Sequence, residues 1–243
     1  MKQLIIKLID IFVKIWLRIK DTFWRVRDFF YRKVTKAPQV ASVDDTIDEI
    51  VKNKRSIARF GDGEIKLAAG KNISFQVNSK KIRDKMREVL SSNVDGLMIG
   101  IADIFDNGER YDEATNKHWK KHLARFRGVW YKYLLKDKTY YNASMTRQYI
   151  GLRHKEESGE IFEHIKKIWD NRDVVIIEGE MSRLGVGNDL LDNAKSVKRI
   201  LGPSSEAFSK YDEILDEAKK LDKDVLILLA LGPAATCLAY DLH

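Results

Sequence analysis

The run Val174-Val175-Ile176-Ile177 consists entirely of β-branched residues, and the polar residues 178–183 follow it at once. An apolar run without alternation is typical of a strand that is buried on both faces, as in a parallel sheet. The run Val225-Leu226-Ile227-Leu228-Leu229 has the same character. Strands of this kind need helices on both faces of their sheet, so the two runs together predict an α/β fold.

The rest of the chain alternates between apolar runs and helical patterns. Strands are predicted at 55–60, 95–101, 173–178, 196–201 and 224–231. Helices are predicted at 79–91, 114–135, 159–169, 209–220 and 233–242, and a further helix begins after a cap at Asp44 or Asp45. This order predicts a Rossmann-like, largely parallel sheet flanked by helices. We assign this domain to residues 42–243, preceded by an arm and a short linker at residues 1–41.

The basic charge of the chain is concentrated in its first 36 residues. The formal net charge is +8, and residues 1–36 hold ten Lys and Arg against three Asp, a net of +7. The remainder holds 34 basic and 33 acidic residues and is therefore nearly neutral. A general surface for DNA or RNA needs a basic patch on the folded domain, so we expect no binding of nucleic acid.

Residues 1–36 have the pattern of an amphipathic helix. Charged residues recur at every third or fourth position from Lys7 to Lys36 and form one stripe, while most of the remaining surface is apolar or aromatic. Charges in every turn break any apolar span that could cross a bilayer, and a secretory signal is disfavoured as well. We expect this arm to lie on an anionic membrane surface. The alternative is that it packs on the domain or on a second subunit of a homodimer.

Composition indicates a folded protein of a reducing compartment. Hydrophobic residues make up 44% and charged residues 33% of the 243 residues, as in a globular domain. Cys237 is the single cysteine, so no internal disulfide can form. This favours the cytosol, and the apolar neighbours of Cys237 predict a small buried residue.

The first candidate site is Arg59-Phe60-Gly61-Asp62-Gly63-Glu64, which follows the predicted strand 55–60. Parallel sheets bind ligands beyond the carboxyl ends of their strands. Asp62 and Glu64 on one turn at such an end offer the hard oxygen ligands that Mg²⁺ or Mn²⁺ uses, with waters and substrate phosphates completing the shell. The alternative is an ordinary solvated turn, because Asp and Gly are common turn residues.

A second candidate site lies in residues 178–193, after the predicted strand 173–178. Three glycines accompany an unusual number of hydrogen-bonding groups there, among them Glu180, Ser182, Arg183, Asn188 and Asp189. Arg183 is suited to a bidentate contact with a phosphate. Asn188 and Asp189 are suited to binding hydroxyls or a base edge, or else to capping the next helix.

A third candidate site is Gly232-Pro233-Ala234-Ala235-Thr236, which follows the predicted strand 224–231. Glycine lets a ligand approach the backbone closely, and the free amides at a helix start face an anion. The alternative is a plain connection, because glycine and proline commonly mark the turn from a strand into a helix.

The chain resembles the GT-D glycosyltransferases in three motifs, from about Ser56 to the last residue. They are Arg59-Phe60-Gly61-Asp62-Gly63-Glu64, Glu178-Gly179-Glu180-x-Ser182-Arg183-Leu184-Gly185-Val186-Gly187-Asn188-Asp189 and Leu229-Ala230-Leu231-Gly232-Pro233-Ala234-Ala235-Thr236. This family was first catalogued as a domain of unknown function and occurs in bacterial gene clusters for adhesin glycosylation and surface polysaccharides. The resemblance implies transfer of a hexose, typically glucose, from a UDP-sugar to a glycan acceptor. With the basic arm, it places the protein in the bacterial cytoplasm, on the inner face of the cell membrane.

The resemblance and the residue types together suggest roles. The family's Asp-x-Glu metal motif maps onto Asp62 and Glu64, which we expect to hold Mn²⁺ or Mg²⁺ against the donor diphosphate. Glu180 is the candidate base for the acceptor hydroxyl. Substrate contacts are expected from Arg59, Ser182, Arg183, Asn188, Asp189, Gly232 and Thr236. The family pattern runs on beyond residues 239–242, so we expect that the chain lacks part of it.

Two other functions are compatible with these motifs. A metal-dependent phosphoesterase would use the same carboxylates with a metal-bound water, but its usual histidine ligands are not apparent from the spacing. The histidines are His118, His122, His154, His164 and His243. The second alternative is a non-catalytic subunit that is tethered to the membrane and binds a nucleotide-sugar for a partner transferase.

Overall fold

In the computed structural model, which describes residues 2–147, 149–156 and 158–243, seven strands form two sheets in which every pair is parallel. The strands are β1 (Gln39–Val40), β2 (Ser56–Phe60), β3 (Leu97–Ile101), β4 (Thr139–Asn142), β5 (Asp173–Gly179), β6 (Ser196–Gly202) and β7 (Leu226–Ala230). The first sheet has the order β1-β4-β3-β2, and the second has the order β6-β5-β7. The predicted α/β fold with parallel strands is confirmed.

Helices connect the strands and cover both faces of the sheets. They are α1 (Lys2–Val34), α2 (Val43–Asn53), α3 (Asp62–Ala68), α4 (Lys80–Leu90), α5 (Glu113–Tyr133), α6 (Ser158–Lys166), α7 (Tyr211–Ala218) and α8 (Pro233–Asp241). Short 3₁₀ turns span Ala143–Thr146 and Ala207–Lys210. The second of these turns forms the start of the predicted helix 209–220, which is α-helical only from Tyr211.

Several local predictions were wrong. Residues 61–64 begin helix α3 and do not form a free turn, because Gly61 is the N-cap and the carboxylate of Glu64 accepts a hydrogen bond from the Gly61 amide. Sequence reading also missed β1 and β4, which are short and carry polar residues. The cap of α2 is Ser42, whose side chain accepts a hydrogen bond from the Asp45 amide, so Asp44 and Asp45 lie in the first turn.

The side chains of the strands alternate between two cores, one on each face. Ala58 and Ile177 point into the core that is covered by α3, α4, α5, α7 and α8. Ile57 and Ile176 point into the opposite core, which is covered by α2 and α6. Because β2 and β5 belong to different sheets but contribute to both cores, the two sheets act as one middle layer between helices. Cys237 is fully buried in the first core, as predicted.

The C-terminal part of helix α1 packs on α5 through a mixed charged and aromatic face that includes Asp28, Arg27 and Tyr31. Asp28 and Arg127 are each only 2% exposed, and their carboxylate and guanidinium lie 2.5 Å apart. Arg32 pairs with the other oxygen of Asp28 at 2.7 Å, and Arg27 donates a hydrogen bond to the Arg125 carbonyl. The alternative that the arm packs on the domain is therefore correct for its C-terminal part. Its apolar side faces away from α5, where large side chains are exposed, among them Phe12, Trp16, Phe23, Phe29 and Phe30.

Substitution of Asp28 by alanine should release α1 from the body. The change leaves the buried Arg127 without its counter-charge, and breaking a buried ion pair in this way costs about 3–5 kcal/mol. Urea denaturation should therefore show a clear loss in the free energy of unfolding. Asp21→Ala is the matched control, because Asp21 pairs with Arg25 two turns earlier on a more exposed part of the helix and should cost no more than about 1 kcal/mol. Equal losses in the two variants would contradict a special role for the buried pair.

Candidate active site

The carboxyl end of β2 leads directly into α3 and presents Asp62 at the start of that helix. Its Oδ2 atom lies 2.5 Å from the Lys66 Nζ atom, one turn further along α3, and 3.6 Å from the His118 Nε2 atom on α5. Burial favours a raised pKa for Asp62, but the hydrogen bond and charge of Lys66, with smaller effects of His122 and His118, outweigh it. The pKa of Asp62 is lowered, so this carboxylate is ionised at neutral pH.

Glu64 has a different environment from Asp62. Its Oε2 atom accepts a hydrogen bond from the Gly61 amide at 2.8 Å, so the side chain turns back toward the N-terminus of α3. Burial raises the pKa of Glu64, although backbone hydrogen bonds and the nearby charge of Arg59 act in the opposite direction. A cation beside this carboxylate would offset the cost of keeping it ionised in a partly buried place.

Residues Asp62 and Glu64 fit a hard divalent cation in type and number. Mg²⁺ is commonly bound through one or two carboxylates, with waters and phosphate oxygens as its other ligands. Within the described ranges, no group of three or more His, Cys, Asp and Glu side chains is arranged to hold a metal. Asp62 and Glu64 therefore offer at most two carboxylate ligands, fewer than a hard cation takes in all.

Arg59 and Thr236 connect the end of β2 to its neighbours. The Arg59 guanidinium donates to the Ala143 carbonyl at 2.9 Å and to the Thr146 hydroxyl at 2.5 Å, both in the turn after β4. The Thr236 hydroxyl donates to the Arg59 carbonyl at 2.7 Å, and Thr236 is 5% exposed. The hydroxyl proton of Thr236 is therefore taken up by a hydrogen bond within the protein. Arg59 and Thr236 connect the end of β2 to the turn after β4 and to α8, whether or not they also contact substrate.

A cavity of about 160 Å³ lies where β5, β6 and β7 end. Its lining includes Gly179, Ser204 and Ser205 from the ends of β5 and β6, Gly232 and Pro233 at the start of α8, and Phe75. A Cβ atom on Gly179 would lie 3.0 Å from the Ser204 Cα atom, so a side chain there would require the backbone at Ser204 to shift. Gly232 has φ of 53° and precedes the first turn of α8. Gly232 lies just beyond the carboxyl end of β7, as predicted.

Residues 180–189 follow β5 but do not line that cavity. Ser182 bonds with the buried Glu178, whose other contacts are the Arg199 guanidinium and the Leu184 amide. Asn188 accepts a hydrogen bond from the Leu190 amide and caps no helix, because residues 190–195 form turns before β6. The carboxylate of Asp189 lies 3.3 Å from the Lys166 Nζ atom of α6.

Glu180, the predicted base, and Arg183, the predicted phosphate ligand, both lie on the surface. Glu180 and Arg183 are exposed at the end of β5, where a ligand can reach both side chains. Their predicted roles in substrate binding and base catalysis stay predictions, as do those of Ser182, Asn188 and Asp189.

Sequence reading missed the histidines near Asp62. His118 and His122 belong to α5 and are brought to α3 only by packing of the two helices, so no spacing near residues 61–64 could reveal them. His122 is 4% exposed, its Nε2 atom accepts a hydrogen bond from the Trp130 indole, and its buried Nδ1 atom has no hydrogen-bond partner in the described structure. Burial lowers the pKa of His122 to about 3 despite the charge of Asp62, so its ring is neutral at physiological pH.

Comparison with known proteins defines the class. The model of the family described as "Glycosyltransferase GT-D fold" matches residues 57–243. The chain is 38% identical over 205 residues to a glycosyltransferase named GlyD of Streptococcus pneumoniae serotype 4, and 37% identical over 204 residues to a probable glycosyl transferase named Gly of Streptococcus gordonii. Both alignments cover 84% of this chain but only 25% and 30% of the relatives, so the chain spans less than a third of their length.

Solved structures agree with this class. A structure described as a new glycosyltransferase from Streptococcus sanguinis superimposes with a TM-score of 0.81 at 36% identity, covering 85% of this chain and 77% of the other. A second, described as a domain of unknown function 1792 with a distinct glycosyltransferase fold, has a TM-score of 0.82 at 34% identity, covering 88% and 78%. These are glycosyltransferase folds. The chain belongs to the GT-D glycosyltransferase family.

Acid should destabilise the protein through His122. The pKa of His122 in the folded chain, about 3, lies below that of an unfolded histidine, about 6.5, so the unfolded state binds the proton more readily. The stabilisation is fully present above about pH 6.5 and is lost as the pH falls towards 3, by at most about 1.4 kcal/mol per pH unit. His122→Gln keeps an acceptor for Trp130 and should reduce the pH dependence in urea denaturation between pH 7 and 4. The control His154→Gln removes an exposed histidine and should behave like the parent; a parental profile for His122→Gln would contradict the assignment.

Proposed function

We propose that this chain is a metal-dependent hexosyltransferase that moves a hexose, with glucose as the expected sugar, from a UDP-sugar to a glycan acceptor of surface polysaccharide or glycoprotein biosynthesis. Family membership supports the class of reaction. The observation that carries the metal and the donor class is the placement of Asp62 and Glu64 at the carboxyl end of β2. An ionised carboxylate and a partly buried one on the first turn of a helix favour a cation that brings a phosphorylated ligand.

Each residue would act on the donor in a specific way. Asp62 and Glu64 would hold Mn²⁺ or Mg²⁺, which, when bound, neutralises charge on the departing diphosphate. The amides at the start of α8, after Gly232, would face the same phosphates, with the helix dipole favouring negative charge. Arg183 is exposed and is suited to a bidentate contact with a phosphate.

The acceptor would approach from the exposed side of this strand edge. Glu180 lies directly after β5 and is solvent-exposed, so its carboxylate can reach a hydroxyl group of an incoming glycan. We propose Glu180 as the base that takes the proton of that hydroxyl.

Helix α1 would place this activity on the inner face of the bacterial cell membrane. Its docked face leaves most of the large apolar side chains exposed, and residues 1–36 contribute +7 to the net charge. Within the described residues, no helix combines the length and apolarity that a membrane crossing requires. A helix with one exposed apolar face and many basic residues is suited to lying in the headgroup region of anionic lipids.

Substitution of Asp62 by asparagine should reduce metal-dependent binding of a UDP-sugar by at least about 10-fold, because a hard cation loses a charged ligand. Calorimetry with UDP-glucose, with and without Mn²⁺, measures this effect. Asp48→Asn is a closely matched control, because Asp48 also pairs with a lysine one turn later, Lys52 at 2.6 Å, and with a histidine, His164 at 3.0 Å, but lies on α2. Parental binding by Asp62→Asn, or equal losses in both variants, would show that Asp62 does not hold the metal.

Product analysis separates the proposed reaction from its rivals. Transfer to an acceptor, followed by mass spectrometry, should show a mass increase of one hexose. Cleavage of UDP-glucose by water to UMP and glucose 1-phosphate, without transfer, would identify a phosphoesterase. Binding of the donor without turnover would identify a subunit that serves a partner transferase.

Loss of the apolar face of α1 should abolish membrane binding while the fold remains intact. Phe12, Trp16 and Phe23 are 71%, 59% and 60% exposed, so serine at all three positions removes little packing within the chain, chiefly the edge contact of Phe23 with the Trp24 ring. The parent should cosediment with phosphatidylserine vesicles, less so at high salt, and the triple variant should stay in the supernatant. The control replaces three exposed apolar side chains of the body, Val94, Tyr149 and Val186, and should bind like the parent. Equal cosedimentation of parent and triple variant would exclude this surface, and a change from dimer to monomer would identify a subunit contact.

A further inference from the structure

Phe75 is an exposed aromatic ring beside the cavity at the ends of β5, β6 and β7. Its side chain is 47% exposed and lines the cavity together with Gly179, Ser204 and Gly232. A Cβ atom on Gly232 would lie 3.1 Å from the Phe75 Cε2 atom, so a side chain at position 232 would push the ring away from the start of α8. One part of the ring is thus supported by backbone, and another part remains open to a ligand.

The loop that carries Phe75 is held from several directions. Ile73 and Gln76 close a tight turn through two backbone hydrogen bonds, and the Phe75 carbonyl accepts a hydrogen bond from the Glu206 amide at 2.9 Å. The Glu206 carboxylate accepts hydrogen bonds from the Val77 amide at 2.8 Å and from the Gln76 side chain at 2.9 Å. Gln76 is 5% exposed and also accepts a hydrogen bond from the Phe208 amide.

The hydrogen bonds around Glu206 hold its backbone in a conformation that glutamate seldom adopts. Glu206 has φ of 54°, a left-handed conformation that residues other than glycine seldom adopt. Such a conformation persists where the surrounding hydrogen bonds over-determine it. The backbone that carries Phe75 is therefore held in place before any ligand arrives, which lowers the entropic cost of ordering this loop on binding.

We propose that Phe75 is the stacking platform for the nucleobase of the donor. The assignment rests on the proposed function, because the start of α8 that supports the ring is also the place proposed for the diphosphate. A ligand that places its diphosphate at α8 carries its nucleobase within reach of Phe75. A planar nucleobase can stack on an aromatic ring, and this contact tolerates any base because every base has a π face. The ring thus supplies affinity for a nucleotide, whereas discrimination of uracil must come from other contacts.

The assignment predicts that affinity for UDP depends on the ring at position 75, while affinity for inorganic pyrophosphate does not. Phe75→Leu should weaken UDP binding to the full chain by about 5- to 100-fold, in the range of a lost base–aromatic stack. Pyrophosphate binding should be unchanged, because it has no base. Phe75→Trp keeps an aromatic face and should retain the affinity for UDP. Calorimetry at saturating Mn²⁺ measures all three proteins.

Val77→Ala is the matched control, because Val77 lies in the same loop and is 55% exposed but does not line the cavity. It should bind UDP like the parent. Equal weakening of UDP and pyrophosphate by Phe75→Leu would mean that the ring shapes the phosphate site, and the proposal would fail. An effect confined to UDP-glucose would assign the ring to the hexose, which also overturns it, as would unchanged UDP affinity. If the parent binds pyrophosphate but no UDP, the proposed donor class is wrong and this assignment fails with it.

Discussion

Parallel pairing of the strands is the constraint from which the arrangement of the molecule follows. Every strand pair in the described ranges is parallel, so each connection must return across a face of the sheet, and helices cover both faces. Within each sheet, the same pairing brings the carboxyl ends to one edge. Glu180 after β5 and Gly232 after β7 therefore share an edge of the second sheet, and Asp62 follows the end of β2 in the first. The hydroxyl of Thr236 joins two of these strand ends, because it bonds to the carbonyl of Arg59.

How much the sequence reveals depends on whether a feature is local. The central strands are predictable because runs such as Val174-Val175-Ile176-Ile177 carry their own burial signal. The three polar motifs are predictable for the same reason, since each directly follows such a run. Helix α3 is not, because Gly61 and Gly63 suggest a turn, while its N-terminal cap depends on the reach of the Glu64 side chain back to the Gly61 amide. The proximity of His118 and Phe75 to the site depends on helix and loop packing, which no local pattern encodes.

In helix α1, one buried ion pair determines which face packs on α5 and which face stays exposed. From its pattern alone, α1 could have packed on the body through its large apolar face. Instead Asp28 meets Arg127 at a position that excludes water, and the face around Asp28 is the docked side. Because a buried charge must keep its partner, this pair fixes the rotation of α1 about its own axis. The aromatic side chains that remain outside are then available to a lipid surface.

Lys66 gives Asp62 a counter-ion that belongs to the protein itself. The ammonium lies 2.5 Å from the carboxylate and is tethered one helical turn away, so its local concentration is high. If Asp62 holds a divalent cation as proposed, that cation competes with the Lys66 ammonium for the carboxylate. A free ion would gain little from the exchange, whereas an ion already bound to a diphosphate brings anionic oxygens that can accept the displaced ammonium. Metal and nucleotide would then bind together. Between turnovers, the charge of Lys66 would neutralise the carboxylate of Asp62.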